Sequence, residues 1–126
     1  MMIEANRLKE TAMRKIAEGE TYKAITEALK RASEKGCLGV AVAITADLIK
    51  VGQGEKIDEK SLVPYIPTLI ALRNAGFLVE ESGNFSYPLP KKENAIIGEI
   101  VQIGEEKGAC KVYFVYILSA KVSENN

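Results

Sequence analysis

Between Tyr65 and Pro88 the chain reads YIPTLIALRNAGFLVEESGNFSYP, and this segment restricts the fold more than any other. Leu69, Leu72 and Ala75 stand at helical spacing, Gly76 can take the left-handed conformation that ends a helix, and Phe77-Leu78-Val79 then runs extended. Ser82-Gly83-Asn84 carries turn chemistry, so the chain is expected to reverse there and return through Phe85, Ser86 and Tyr87. Helix, stop and hairpin in this order occur in winged-helix DNA binders and in α/β proteins that bind no nucleic acid. The surroundings must decide between them.

Upstream, Ala5, Leu8, Ala12, Met13 and Ile16 mark one face of a helix over Ile3 to Ala17, with Gly19 as its stop. Thr21 is placed to cap a second helix, whose apolar stripe is Tyr22, Ile25, Leu29 and Ala32 and whose stop is Gly36. Glu27 with Arg31, and Lys30 with Glu34, are favourable pairs four residues apart. The short Glu18-Gly19-Glu20 link predicts an antiparallel helical hairpin over residues 1–36. From Cys37 to Thr45, Val40, Val42 and Ile44 alternate with small residues, which predicts a strand lying close under a helix. Lys50 to Lys60 is polar and glycine-bearing, and reads as an exposed loop.

Downstream, Pro88 and Pro90 confine the Phe85–Tyr87 strand to a sheet edge. Ile96, Ile97, Ile100 and Val101 recur at helical spacing up to Gly104 and Gly108, with Gly98 weakening that helix and a strand as the competing reading. Cys110 to Leu118 is a continuous apolar and aromatic run, expected to be a strand covered on both faces, and Ser119 to Asn126 is a polar tail. The whole is a single α+β domain: a helical hairpin followed, over residues 37–120, by a β-α-β-β-α-β core of ferredoxin-like or mixed-sheet form. In the ferredoxin-like order the first and last strands are antiparallel, which would hold Cys37 and Cys110 far apart.

The residue inventory removes several function classes. Lys plus Arg equals Asp plus Glu at 17 each, so no net field draws the chain to polyphosphate or to an anionic membrane. Histidine and tryptophan are absent, which removes the commonest general base and transition-metal ligand. Two cysteines lack the spacing of a zinc or redox motif, and no apolar run is long enough to span a membrane. No catalytic residue, cofactor or metal ligand is therefore assigned, and a cytoplasmic location is expected. Glu80-Glu81 and Asp58-Glu59 are carboxylate pairs, but neighbours on a strand point to opposite faces and cannot share one site. The Gly-x-Gly of Lys50 to Lys56 lacks the further glycines or the Gly-Lys-Ser/Thr end of a phosphate loop.

Two candidate surfaces remain. A winged-helix module at residues 61–88 would use Lys60, Arg73, Asn74, Asn84 and Tyr87 against nucleic acid, but its wing carries Glu80 and Glu81 and two prolines sit where the reading helix should begin. The aromatic residues Phe85, Tyr87, Tyr113, Phe114 and Tyr116 are candidates for a subunit interface, since nothing basic interleaves them as in a nucleic-acid stacking platform. A protein partner or self-association is expected ahead of nucleic acid, with no membrane and no metal.

With EANRLKETAMRKIAEGETYKAITEALKRASEKG before an apolar strand and LIALRNAGFLVEES after it, residues 3 to 87 resemble small uncharacterised α/β proteins encoded by tailed phages. No catalytic set travels with the resemblance. It implies a viral structural or accessory protein, in the cytoplasm or in the virion, and the chain from Lys91 onward departs from it.

Overall fold

In the computed structural model, which describes residues 7–8, 11, 19–86, 96–105 and 107–117, two glycine-stopped helices stand where the periodicity puts them. Helix α1 (Glu20–Glu34) buries Ile25, Ala28, Leu29 and Ala32, the set that shares one helical face. It ends in a Schellman motif: Gly36 has φ 81°, its N–H donates to Ser33 O at 3.0 Å, and Cys37 N–H donates to Ala32 O at 2.8 Å. Helix α2 (Ile66–Asn74) ends the same way, with Gly76 at φ 102° donating to Arg73 O and Phe77 N–H donating to Leu72 O. A 3-10 turn, Glu59–Tyr65, contains Pro64 and runs directly into α2. Gly19, not Thr21, is the N-cap of α1, and Thr21 lies inside the helix. The predicted Ile3–Ala17 helix, and with it the helical hairpin, falls largely outside the described residues, as do Tyr87, Pro88, Pro90 and the polar tail.

Among the described residues six strands accompany the helices: β1 (Gly39–Ala46), β2 (Leu48–Val51), β3 (Gly54–Ile57), β4 (Leu78–Ser86), β5 (Ile97–Ile103) and β6 (Ala109–Tyr116). The described chain is thus α+β, with a four-stranded sheet of order β4-β6-β1-β5 and a separate β2–β3 pair. β1 runs parallel to β5 and antiparallel to β6, and β4 runs antiparallel to β6, so the main sheet is mixed.

Three expectations fail, each for a traceable reason. Residues 78–86 form one strand rather than a hairpin, because β6 offers a continuous ladder to all of it, and Ser82 is absorbed as a bulge between the Glu81–Tyr113 and Gly83–Val112 pairs. The helix expected from Ile96 up to Gly104 gives way to its competing reading, strand β5. A register shift against β1 lets Ile97 and Ile100 share a face although they are three residues apart, and this imitates helical spacing. The Lys50–Lys60 loop is largely a hairpin and the start of the 3-10 turn: Gly52, at φ 64°, is the first of two turn residues, the position that a type II′ turn gives to glycine. The ferredoxin-like order, which puts the third strand of the lost hairpin in the centre, is replaced by the sheet above. The cysteines are far apart, as antiparallel pairing of β1 with β6 requires. Cys110 lies opposite Thr45, while Cys37 precedes Gly39 at the other end of β1, and Gly39 is itself roughly 20 Å from Thr45 at strand spacing.

Both helices cover the same face of the sheet. There Val40, Val42 and Ile44 of β1 and Val115 of β6 meet Ile25, Leu29, Leu72, Ile57 and Leu62. The opposite face carries Ala41, Ala43, Cys110 and Val112, all buried, with Ile100, Phe114 and Tyr116 half-buried about them. α1 approaches so closely that a Cβ on Gly98 would stand 2.8 Å from Ala32 Cβ. At its border Arg31 holds Glu99 of β5 in a two-point pair, Nη2 to Oε1 at 2.7 Å and Nε to Oε2 at 3.1 Å. That planar fork takes Arg31 across to the sheet in place of the predicted i, i+4 partner Glu27.

Candidate functional site

Everything between β1 and β4 is one excursion, from Leu48 to Asn74, and its surface is unlike the rest. Of the nine exposed large apolar side chains among the described residues, six lie between Leu48 and Ile70: Leu48, Ile49, Val51, Val63, Ile66 and Ile70. Val63, Ile66 and Ile70 follow at spacings of three and four, which sets them along one outward stripe of the 3-10 turn and α2. α2 is therefore apolar on both sides, since Ala71 and Leu72 are buried inward. A helix that lacks a polar outer face belongs under cover.

The β2–β3 hairpin makes the same demand. Each of its strands has four residues, seven of the eight are exposed, and only Ile57 reaches the core. Two-stranded hairpins are marginal in water without further strands or a packed face. Locally this one is tied down by its base, where Asp58 N–H donates to Asp47 O at 2.8 Å and Asp47 N–H donates to Ser61 Oγ at 3.0 Å.

One buried charge anchors the excursion to the sheet. Lys111 of β6 is 6% exposed and sits on the helix-covered face, opposite Ile44. Its ammonium donates to Glu59 of the 3-10 turn at 3.1 Å and pairs with Glu81 of β4 at 2.5 Å. Both carboxylates reach solvent, with 66% and 59% of their side-chain surfaces accessible. The hydrogen bond to Glu81, reinforced by that to Glu59, holds the Lys111 pKa above its ordinary value against the opposing effect of burial. Burial pushes the neighbouring Tyr113 phenol up as well. Glu80 and Glu81 point to opposite faces, as strand alternation requires, and only Glu81 joins this cluster.

A second polar cluster lies at the other edge of β1. Gln102 Nε2 donates to Thr45 Oγ1 at 3.0 Å, the Thr45 hydroxyl donates to Glu105 O, and the Gln102 amide nitrogen stands 4.0 Å from Cys110 Sγ. An amide N–H cannot take a proton from a thiol, so this neighbour does not activate Cys110 as a nucleophile. The cluster pins the turn between β5 and β6 over the end of β1.

The residues singled out from the sequence are scattered by the fold. Arg73 lies in the last turn of α2 with its Nη2 donating to Val79 O at 3.2 Å, Asn74 ends the helix exposed, and Lys60 is exposed in the 3-10 turn. Asn84 sits on β4 opposite Lys111, with no wing to carry it forward. Phe85 lies opposite Cys110 and Phe114 opposite Ala41, on the face turned away from the helices, where Phe114 and Tyr116 meet with ring centroids 6.1 Å apart. Tyr113 is on the other face. Among the described residues no group of three Cys, Asp or Glu side chains is arranged to hold a metal ion, and no helix is long and apolar enough to cross a membrane.

The apolar stripe and the Lys111 anchor were missed in the sequence. The stripe was visible only as the odd composition of IPTLIALRN, apolar at nearly every position, and the hairpin as LIKV and GEKI about a two-residue Gly-Gln turn. Lys111 offered no local signal, because its partners are 52 and 30 residues away in the chain. Comparison of the chain with protein-family models, with curated proteins and with solved structures finds no match.

Proposed function

We propose that this chain is a non-enzymatic interaction protein that works by laying the Leu48–Ile70 excursion against another protein surface. The observation that carries this reading is the concentration there of exposed apolar side chains, on a hairpin and a helix that each lack the cover their composition calls for. A protein partner supplies such cover, whereas a phosphate backbone rewards cations. A structural or accessory role, as the resemblance to tailed-phage proteins implies, belongs to the same proposal, as does a place in the cytoplasm or the virion.

The test is site-specific photo-crosslinking. A photoreactive residue replacing Ile66 or Ile70 should give protein adducts well above those from Lys23 or Glu27 on the outer side of α1. Equal yields at all four positions would remove the reading. A gel-shift titration at low salt addresses the nucleic-acid alternative. That alternative is weakened by the loss of the wing and by the engagement of Arg73 with Val79 O. Retardation abolished by Lys60→Ala with Arg73→Ala would restore it.

A further inference from the structure

Among the described residues the strand edges are not equally protected. An edge strand offers unpaired N–H and C=O groups to any other strand, and proteins blunt such edges with bulges, charge or proline. Both outer strands of the main sheet are blunted in this way. β4 carries the Ser82 bulge beside Glu80 and Glu81, and β5 carries its register shift at Gly98 and Glu99. The hairpin has no bulge and no proline: β2 and β3 pair without interruption from Leu48–Ile57 to Val51–Gly54, and Lys50 is the one charged residue of β2 where β3 carries Glu55 and Lys56.

Hydrogen-bond parity then distinguishes its two edges. The Asp58 N–H to Asp47 O bond makes Leu48–Ile57 a non-hydrogen-bonded pair, so Leu48 and Lys50 of β2, and Glu55 and Ile57 of β3, turn their backbone groups outward. If β3 met a second β3 about a two-fold axis, Glu55 would face Glu55 or Lys56 would face Lys56, and like charges directly opposite repel. For β2 the axis can pass through Ile49. Leu48 then exchanges backbone bonds with Lys50 of the other copy in both directions, giving four bonds, and Ile49 faces Ile49 with Val51 beside it. Of the three apolar side chains exposed in the single chain, Ile49 is covered by its own copy and Val51 lies diagonal to that Ile49, while Leu48 stands opposite Lys50. The equal numbers of basic and acidic residues mean that no net charge opposes it.

The geometry points to a second copy of this chain as the partner of the hairpin, through antiparallel β2–β2 pairing centred on Ile49 that makes one four-stranded sheet from two hairpins. This deepens the proposed function and rests on it, by naming the partner that the excursion meets first.

Sedimentation velocity on the full chain tests it. The wild type should pass from monomer to dimer within the micromolar range, about −8 kcal/mol of association. Ile49→Lys sets like charges on the axis and should weaken the dimer about a hundredfold. Lys50→Pro removes an outward N–H while sparing the β2–β3 ladder, and should weaken it at least about tenfold. Glu55→Gln, on the outward side of β3, should change nothing. Circular dichroism shows that each variant keeps the fold, and Ile49→Lys, a change at an exposed position, holds the test if the proline variant does not fold. A wild type monomeric throughout, or a dimer indifferent to both β2 variants, overturns the inference. Crosslinks at Ile66 and Ile70 that persist in Lys50→Pro would leave the proposed function standing without it, and loss of those crosslinks alone would remove the proposed function.

Discussion

The sheet under α1 and the excursion between β1 and β4 are built on opposite terms. Under α1 the contact is made by packing: Ile25, Ala28, Leu29 and Ala32 are buried, and Gly98 admits the helix at a distance that no side chain would allow. The excursion is held at a few points, namely Ile57 and Leu62 in the core, the Asp47–Asp58–Ser61 base and the Lys111 pairs, while its outer surface stays apolar and exposed. A region anchored by few contacts can keep a sticky face turned outward because its fold does not need that face. The difference separates what stabilises this molecule from what is available for binding.

The contrast breaks hardest at Gly98. Gly98→Val should cost about 3 kcal/mol or prevent folding, because the added atoms meet Ala32 and Cys37 and the helix must lift from the sheet. Urea denaturation measures it, and a near-neutral result would mean that the packing of α1 is looser than described.

On the other side of the comparison, the Lys111 cluster should be asymmetric. Glu59→Ala with Glu81→Ala leaves a buried ammonium without a partner and should cost about 2 kcal/mol. Lys111→Met leaves only solvent-accessible carboxylates and should cost less than half of that. Hydrogen exchange should show the double variant opening residues 48–65 ahead of β1 and β5. Uniform opening would mean that the excursion is not a separate unit.

Alkaline pH probes the same anchor more gently. Because the Lys111 pKa is raised in the fold, its contribution is complete at neutral pH, begins to fade above the ordinary lysine value of about 10.4, and is lost as pH rises through the raised value. Exchange at residues 48–65 should quicken there in the wild type and not in Lys111→Met. The smallest effect belongs to the border of α1. Hydrogen bonding to Arg31 lowers the Glu99 pKa, so this pair contributes above the ordinary carboxylate range and is lost as pH falls through the lowered value. Glu99→Gln should cost about 0.5 kcal/mol at pH 7 and almost nothing at low pH, read from paired thermal melts.

Where a structure depends on neighbours along the chain, it was legible. Both helix stops, Gly36 and Gly76, were read correctly because a Schellman end involves only the last turn and the next two residues. The inward stripe of α1 and strand β1 followed from periodicity, and β6 from its continuous apolar run, for the same reason. Residues 78–86 were misread because Ser-Gly-Asn suits a turn and a bulge equally, and β5 because its register shift turned a two-residue period into a three-residue one. Of the candidate surface, the aromatic residues were noticed, yet Phe85 and Phe114 fell on the face opposite to Tyr113.

By itself, then, the sequence determined an α+β chain with two glycine-ended helices, a buried first strand, a terminal strand and no net charge, all properties of composition or of contacts within a few residues. Only the tertiary structure decided that residues 78–86 stay one strand and that Lys111 meets Glu59 and Glu81. It also decided that the apolar residues from Leu48 to Ile70 face outward. Those outcomes depend on which distant strand is present to complete a ladder and which faces other elements have already covered, and neither is written in any single stretch of the chain.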